Sequence, residues 1–246
     1  MGLVMPQIAG MRPGSRAFAT TPSKGNIVLQ AVMFDMDGLL VDSEPLWFRA
    51  ESVVMARLGG TWSHADQGVL VGGSMDTTVS YLLDRGTRAE RPAVVARWLT
   101  EAMIAELTSQ PLPVLPGAVE LLGEVREAGL PHALVTSSEP EIVEVVLSRL
   151  GAGEFGVMVC GADVARAKPD PEGYLLAAAK LGVEPQYSIA LEDSLNGTAA
   201  AEAAGYRTVA VPSVVSVPAA PGRVVLSSLA GVTLADLAEQ SGLALR

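Results

Sequence analysis

The sequence predicts an α/β fold: a parallel sheet with helices on both faces, and an all-helical block inserted after the first strand. Three observations predict it. From residue 116 onward, short apolar runs of strand length alternate with helix-patterned segments. One further apolar run, residues 27–35, precedes that alternation. Between the two, residues 46–110 carry helical patterns and no good strand candidate. The chain therefore reads as a helical cap set into a Rossmann-like core, with the cap at 45–112 and the core at 27–44 and 113–246.

The elements follow in order. Residues 1–26 lack Asp and Glu, carry Arg12, Arg16 and Lys24, and show no clear amphipathic repeat. They are expected to form a disordered leader outside the fold. The run from Ile27 to Phe34 is apolar and rich in β-branched residues, which favours a buried strand ending at Asp35. After Pro45, Leu46, Ala50, Val53, Val54 and Leu58 mark one face of a helix closed by Gly59 and Gly60. Further helices are expected at 75–84 and 90–109. The Pro-rich stretch 110–117 reads as a hinge or linker. Helices at 117–128, 140–150, 171–181 and 196–204 then alternate with strands at 133–136, 157–160, 188–191 and 208–211. A short strand near 224–226 and a helix near 234–240 complete the chain.

Composition narrows the function. Hydrophobic residues make up 49% of the 246 positions and aromatics only 4%, so aliphatic side chains must fill a sizeable core. A net charge of −10 disfavours nucleic acid and anionic membrane surfaces as partners. The single cysteine, Cys160, rules out an intramolecular disulfide and suits a reducing, cytoplasmic setting. No apolar run reaches the roughly 18 residues of a membrane span. The expected state is a monomer or weak homo-oligomer acting on a small molecule.

In parallel α/β sheets ligands bind at the carboxyl ends of the strands. The predicted strands end on, or lead to, Asp35-Met36-Asp37-Gly38, Thr136-Ser137-Ser138, Lys168-Pro169 and Glu192-Asp193-Ser194. Each set alone has a plain structural use, as a turn, a helix cap or a solvated loop. Four such sets in successive strand-to-helix positions point to one site. A carboxylate can attack phosphorus and split one displacement into two. A phosphate dianion needs positive charge beside that carboxylate, and Mg²⁺ takes oxygen ligands and keeps several waters. Asp35, the main-chain carbonyl of Asp37, and Asp193 could supply the protein oxygens. Lys168 adds a cation and Thr136 a hydroxyl donor. Asp35, Asp37, Glu192 and Asp193 sum to −4, while Lys168 and Mg²⁺ return +3. A proton on Asp37 balances the site and makes it the donor to the leaving oxygen.

The run Phe34-Asp35-Met36-Asp37-Gly38-Leu39-Leu40-Val41-Asp42-Ser43-Glu44-Pro45 resembles the first motif of the haloacid dehalogenase superfamily. Thr136, Lys168-Pro169 and Glu192-Asp193-Ser194 resemble its second, third and fourth, in order over residues 27–211. The resemblance implies Asp35 as nucleophile and Asp37 as acid/base. It implies Mg²⁺ at Asp35, the Asp37 carbonyl and Asp193, with Glu192 nearby or liganding, and phosphate contacts from Thr136, the Ser137 backbone N–H and Lys168. It also implies a cap that opens and closes; Glu44 and Trp47, at the start of that block, are expected to face the substrate.

The nearest subgroup by resemblance is the β-phosphoglucomutase-like one, which also holds sugar-phosphate phosphatases. Trp47 stands where mutases carry His, and Val71, Met75 and Glu139 stand where they carry cations. A Mg²⁺-dependent phosphatase for a small phosphorylated metabolite, such as a sugar phosphate, is therefore expected. A phosphomutase, and a catalytically silent family member that binds a ligand or partner, are the alternatives.

Overall fold

The computed structural model describes residues 27–151 and 155–245. The expectation for residues 1–26 lies outside them. Six strands form one parallel sheet in the order β3-β2-β1-β4-β5-β6: β1 Ala31–Phe34, β2 His132–Val135, β3 Val157–Val159, β4 Ser188–Glu192, β5 Arg207–Ala210 and β6 Arg223–Val225. The chain steps from β1 outward through β2 to β3, then returns to the other side of β1 for β4. That reversal makes the carboxyl ends of β1 and β4 the switch point where α/β sheets open a crevice.

Side-chain alternation along the central strands divides the core into two faces. Val32, Phe34, Leu134, Ile189 and Leu191 pack on one face. There they meet α5 (Ala118–Glu127), α6 (Pro140–Leu150) and α9 (Leu234–Gln240). Ala31, Met33, Ala133, Val135 and Ala190 pack on the other. Their neighbours there are α7 (Glu172–Leu181) and α8 (Leu195–Ala203). The second face is rich in alanine, so the Ala-rich α8 can lie close to the sheet.

Between β1 and α5 the chain forms α1 (Glu44–Arg57), α2 (His64–Leu70), α3 (Met75–Arg85) and α4 (Pro92–Ser109). These helices have a core of their own in Val54, Met55, Leu58, Val79, Leu82, Val95 and Leu99. Two details differ from the sequence reading. Val53 is 45% exposed, while Met55 takes the buried place beside Val54, because the stripe runs along Leu46, Ala50 and Val54. The helix α2 starts at His64, a residue read as loop. Its signal was the Ser63 and Asp66 capping box, which satisfies the first-turn N–H groups from both ends.

The two connections to this helical block run side by side. Asp42 N donates to the Pro113 carbonyl at 2.8 Å and Leu115 N donates to the Leu40 carbonyl at 3.0 Å. The stretch read as a linker is thus paired, in an antiparallel sense, with the segment that leaves β1. Among the described residues no helix is long and apolar enough to cross a membrane.

Candidate active site

Asp35 directly follows β1 and is 6% exposed. Lys168 reaches it from the loop before α7: its Nζ donates to Asp35 Oδ1 at 2.7 Å, to Glu192 Oε1 at 2.6 Å and to the Val135 carbonyl at 2.8 Å. Those three acceptors come from the ends of β1, β4 and β2. The ammonium therefore ties together the central strand tips. Tyr174 of α7 donates its hydroxyl to the same Glu192 oxygen at 2.5 Å.

Asp35, Glu192 and Asp193 bring carboxylate oxygens within 4.8 Å of one another. Three carboxylates beside one ammonium leave two negative charges, and burial makes them costly. Burial, with the charge of Glu192, pushes the Asp35 carboxyl up to about 8. Burial, with the charge of Asp35, pushes Asp193 up to about 7. Burial also raises Glu192. For Lys168 burial works against the charge, yet Asp35 and Glu192 hold its ammonium pKa well above the usual value. The missing positive charge matches one divalent cation. Glu192 Oε2 is buried without a hydrogen-bond partner, and Ser213 Oγ donates to Asp193 Oδ2 at 2.5 Å. An all-oxygen donor set with an orphaned oxygen fits Mg²⁺.

Gly38 makes room for this cluster. It adopts φ +77°, and a Cβ there would stand 2.0 Å from Asp193 Oδ2. Only glycine serves at a left-handed position in such close contact. Met36, between the two aspartates, is fully buried, as alternation predicts.

Asp37 lies across the crevice and accepts from four side chains. Ser43 Oγ (2.6 Å) and Trp47 Nε1 (3.1 Å) donate to its Oδ1. Ser138 Oγ (2.7 Å) and Thr136 Oγ1 (3.4 Å) donate to its Oδ2. Trp47 packs against the hydrophobic core and lines the cleft, and from the first turn of α1 its N–H also holds Asp37. Ser43 and Ser138 were part of the quoted motifs, but nothing in the sequence linked them to Asp37.

A cleft opens over these groups. Asp35, Asp37, Thr136, Ser137, Lys168 and Asp193 line its floor from the sheet side. Glu44, Trp47, Val71 and Met75 line it from the helical block. Glu192 lies beneath the floor, under Lys168. Glu139, expected near the substrate, is not part of the lining; it stands at the N-cap position of α6 without a side-chain capping bond. Glu51, Gln67 and Thr78 line the cleft and went unread in the sequence. Gln67 Nε2 donates to the Glu44 carbonyl at 2.6 Å and to Glu44 Oε2 at 3.1 Å. Asn196 Nδ2 donates to the Gly72 carbonyl at 3.1 Å, joining α8 to the loop between α2 and α3 across the mouth. His64 stacks on Phe48 and His132 opens β2, so neither belongs to the cleft.

Known proteins resemble this chain in sequence and, for one of them, in fold. Hexitol phosphatase B of Escherichia coli O157:H7 is 38% identical over 218 residues, covering 84% of this chain and 96% of that protein. The crystal structure of CbbY from Rhodobacter sphaeroides in complex with phosphate superposes with a TM-score of 0.79 at 31% identity. It covers 85% of this chain and 99% of CbbY. A mutant of that CbbY in complex with xylulose-(1,5)bisphosphate gives a TM-score of 0.78 at 30% identity, with the same coverage. The family model for haloacid dehalogenase-like hydrolases matches residues 29–205. This chain belongs to the haloacid dehalogenase-like hydrolase family.

Proposed function

We infer that the protein is a Mg²⁺-dependent phosphatase that hydrolyses a small phosphorylated sugar or sugar alcohol through an aspartyl-phosphate on Asp35. The observation that carries this reading is the Asp35 carboxylate: it opens onto the cleft, beside one ammonium, in a cluster short of two positive charges. Such a cluster suits a nucleophile that must meet a phosphate dianion. The family and the two phosphate-associated relatives support the same chemistry.

The residues divide the work. Asp35 attacks phosphorus as the P–O bond to the sugar oxygen breaks. Asp37 gives that oxygen its proton, so the alcohol leaves neutral. Water then attacks the aspartyl-phosphate, Asp37 takes the water's proton, and inorganic phosphate leaves with Asp35 restored. Ser43 and Ser138 can turn their hydroxyls to accept when Asp37 carries the proton, whereas the Trp47 N–H can only donate. Lys168, Thr136 Oγ and the Ser137 main-chain N–H would hold the transferring oxygens. Asp35, Asp193 and the Asp37 carbonyl would hold the metal, with Glu192 below. When bound, Mg²⁺ supplies the positive charge that the phosphoryl oxygens require.

The block at 45–112 acts as the cap. Its paired linkers at 41–42 and 113–115 form the hinge, and its contact at Gly72 and Asn196 closes the mouth. Among the described residues, Lys168 is the only cation lining the cleft, and it is already engaged by two carboxylates. A second phosphate on the substrate would find no free cation among the described residues of the lining. The monophosphate reading therefore stands above a bisphosphate mutase. Mg²⁺-dependent release of phosphate from p-nitrophenyl phosphate, then a panel of sugar and sugar-alcohol monophosphates, tests the proposal. No turnover of any of them with Mg²⁺ present would refute it.

A further inference from the structure

Glu51 is a buried carboxylate that the phosphoryl chemistry does not use. It lies on α1 with Glu44 and Trp47, at a spacing that places all three on one helix face, and all three line the cleft. Only 4% of Glu51 is exposed. Trp62 Nε1 donates to its Oε2 at 3.1 Å, and the Trp62 ring is fixed edge-on against Tyr81, 5.8 Å between centroids. The second oxygen, Oε1, accepts no hydrogen bond from the described residues, and no Lys, Arg or His pairs with Glu51 among them. This oxygen is not sealed off from solvent, and Glu51 lines the cleft, so Oε1 is open to bond with whatever fills it.

Resting on the phosphatase reading above, we propose that Glu51, held by Trp62, reads a hydroxyl group on the carbon chain of the substrate and so selects neutral polyhydroxylated monophosphates. The chemistry of the wall favours a hydroxyl over the other candidates. An anionic tail would face Glu44 and Glu51 with no free cation in the lining among the described residues. A purely apolar tail would leave Oε1 unsatisfied. Burial pushes the Glu51 carboxyl up to about 8, against the pull of the Trp62 bond. It pushes Glu44 up to about 7, aided by the charges of Asp37 and Asp193. Near neutral pH the pair thus offers both donors and acceptors. That is what a hydroxyl, itself donor and acceptor, can use. An ammonium group would favour ionised carboxylates, which burial here opposes. Gln67, bonded to Glu44, extends the same polar wall.

The test compares kcat/KM for a hexitol 6-phosphate with that for hexyl phosphate, which has the same chain length and no hydroxyls. Turnover of p-nitrophenyl phosphate reports the phosphoryl chemistry separately, and its absence in wild type would sink the phosphatase reading itself. Glu51→Leu should lower the hexitol-to-hexyl ratio by about ten- to a hundredfold, with p-nitrophenyl phosphate turnover within about threefold of wild type. Glu51→Gln should keep most of the ratio, because an amide also donates and accepts. Trp62→Phe, which frees Glu51 without removing it, should shift the ratio in the same direction and gives a second reading if Glu51→Leu folds poorly. An unchanged ratio in Glu51→Leu and Trp62→Phe, or equal losses on every substrate, overturns the proposal. So does a wild-type preference for a 2-amino sugar phosphate over its hydroxyl counterpart, which would assign Glu51 to a cation.

Discussion

Trp47 Nε1 donates to Asp37 Oδ1 at 3.1 Å, so a side chain of the inserted helical block positions the proposed acid/base of the core. Under the proposed cap reading, closure of the block would complete the proton-transfer geometry in the same step. Trp47→Phe keeps the ring and deletes the N–H. For a sugar phosphate, whose leaving alkoxide needs a proton, kcat/KM is expected to fall about three- to tenfold. For p-nitrophenyl phosphate, whose phenolate leaves readily without one, the loss should be smaller. Steady-state kinetics on both substrates check this, and equal losses would mean that Trp47 merely packs.

Gly197, in the first turn of α8, sits against Glu192. A Cβ at this position would stand 1.9 Å from Glu192 Oε2 and 2.1 Å from its Cδ. Gly197→Ala must therefore displace Glu192 and with it the 2.6 Å bond to Lys168. Chemical denaturation should show a loss of about 1–3 kcal/mol, the usual cost of overpacking a filled interior. The Mg²⁺ requirement for activity should rise as well. Unchanged stability would show that Glu192 has slack the geometry does not allow.

The acidic cleft predicts an unusual pH dependence. Asp35 and Glu51 are pushed up to about 8, and Asp193 and Glu44 to about 7, from ordinary values near 4. Between those limits the folded chain binds more protons than the unfolded chain, so stability falls as pH rises. In EDTA the melting temperature should drop between about pH 5 and pH 8. Added Mg²⁺ should raise it, and the rise should grow with pH, because metal and proton compete for the carboxylates. Thermal melts across that range decide it; a melting temperature in EDTA that climbs with pH would contradict the assignment.

Much of this was legible in the sequence, for a physical reason. Apolar runs broken by Gly and Pro mark the strands, and a parallel sheet delivers its strand-end residues to one edge. Asp35, Thr136, Lys168 and Asp193 could be brought together by topology alone. The ties across long separations could not. Ser138 meets Asp37 only because β2 lies beside β1, and Trp47 meets it only because α1 folds back over the sheet. Glu51 was hidden for another reason. A glutamate within a helix reads as solvated, and nothing local says that Trp62 will bury it. Val53 misled for the converse reason: an apolar residue one place off the buried stripe reads as core and lies exposed.

Nucleophilic attack by Asp35 is most directly tested by Asp35→Asn, assayed with Mg²⁺ on p-nitrophenyl phosphate and on a sugar monophosphate. The substitution removes the attacking carboxylate and keeps its shape. Turnover should fall by at least about a thousandfold on both substrates, because an amide oxygen cannot form the aspartyl-phosphate. Circular dichroism should remain that of the wild type. A folded Asp35→Asn protein that retains activity within about tenfold of wild type would contradict covalent catalysis at Asp35.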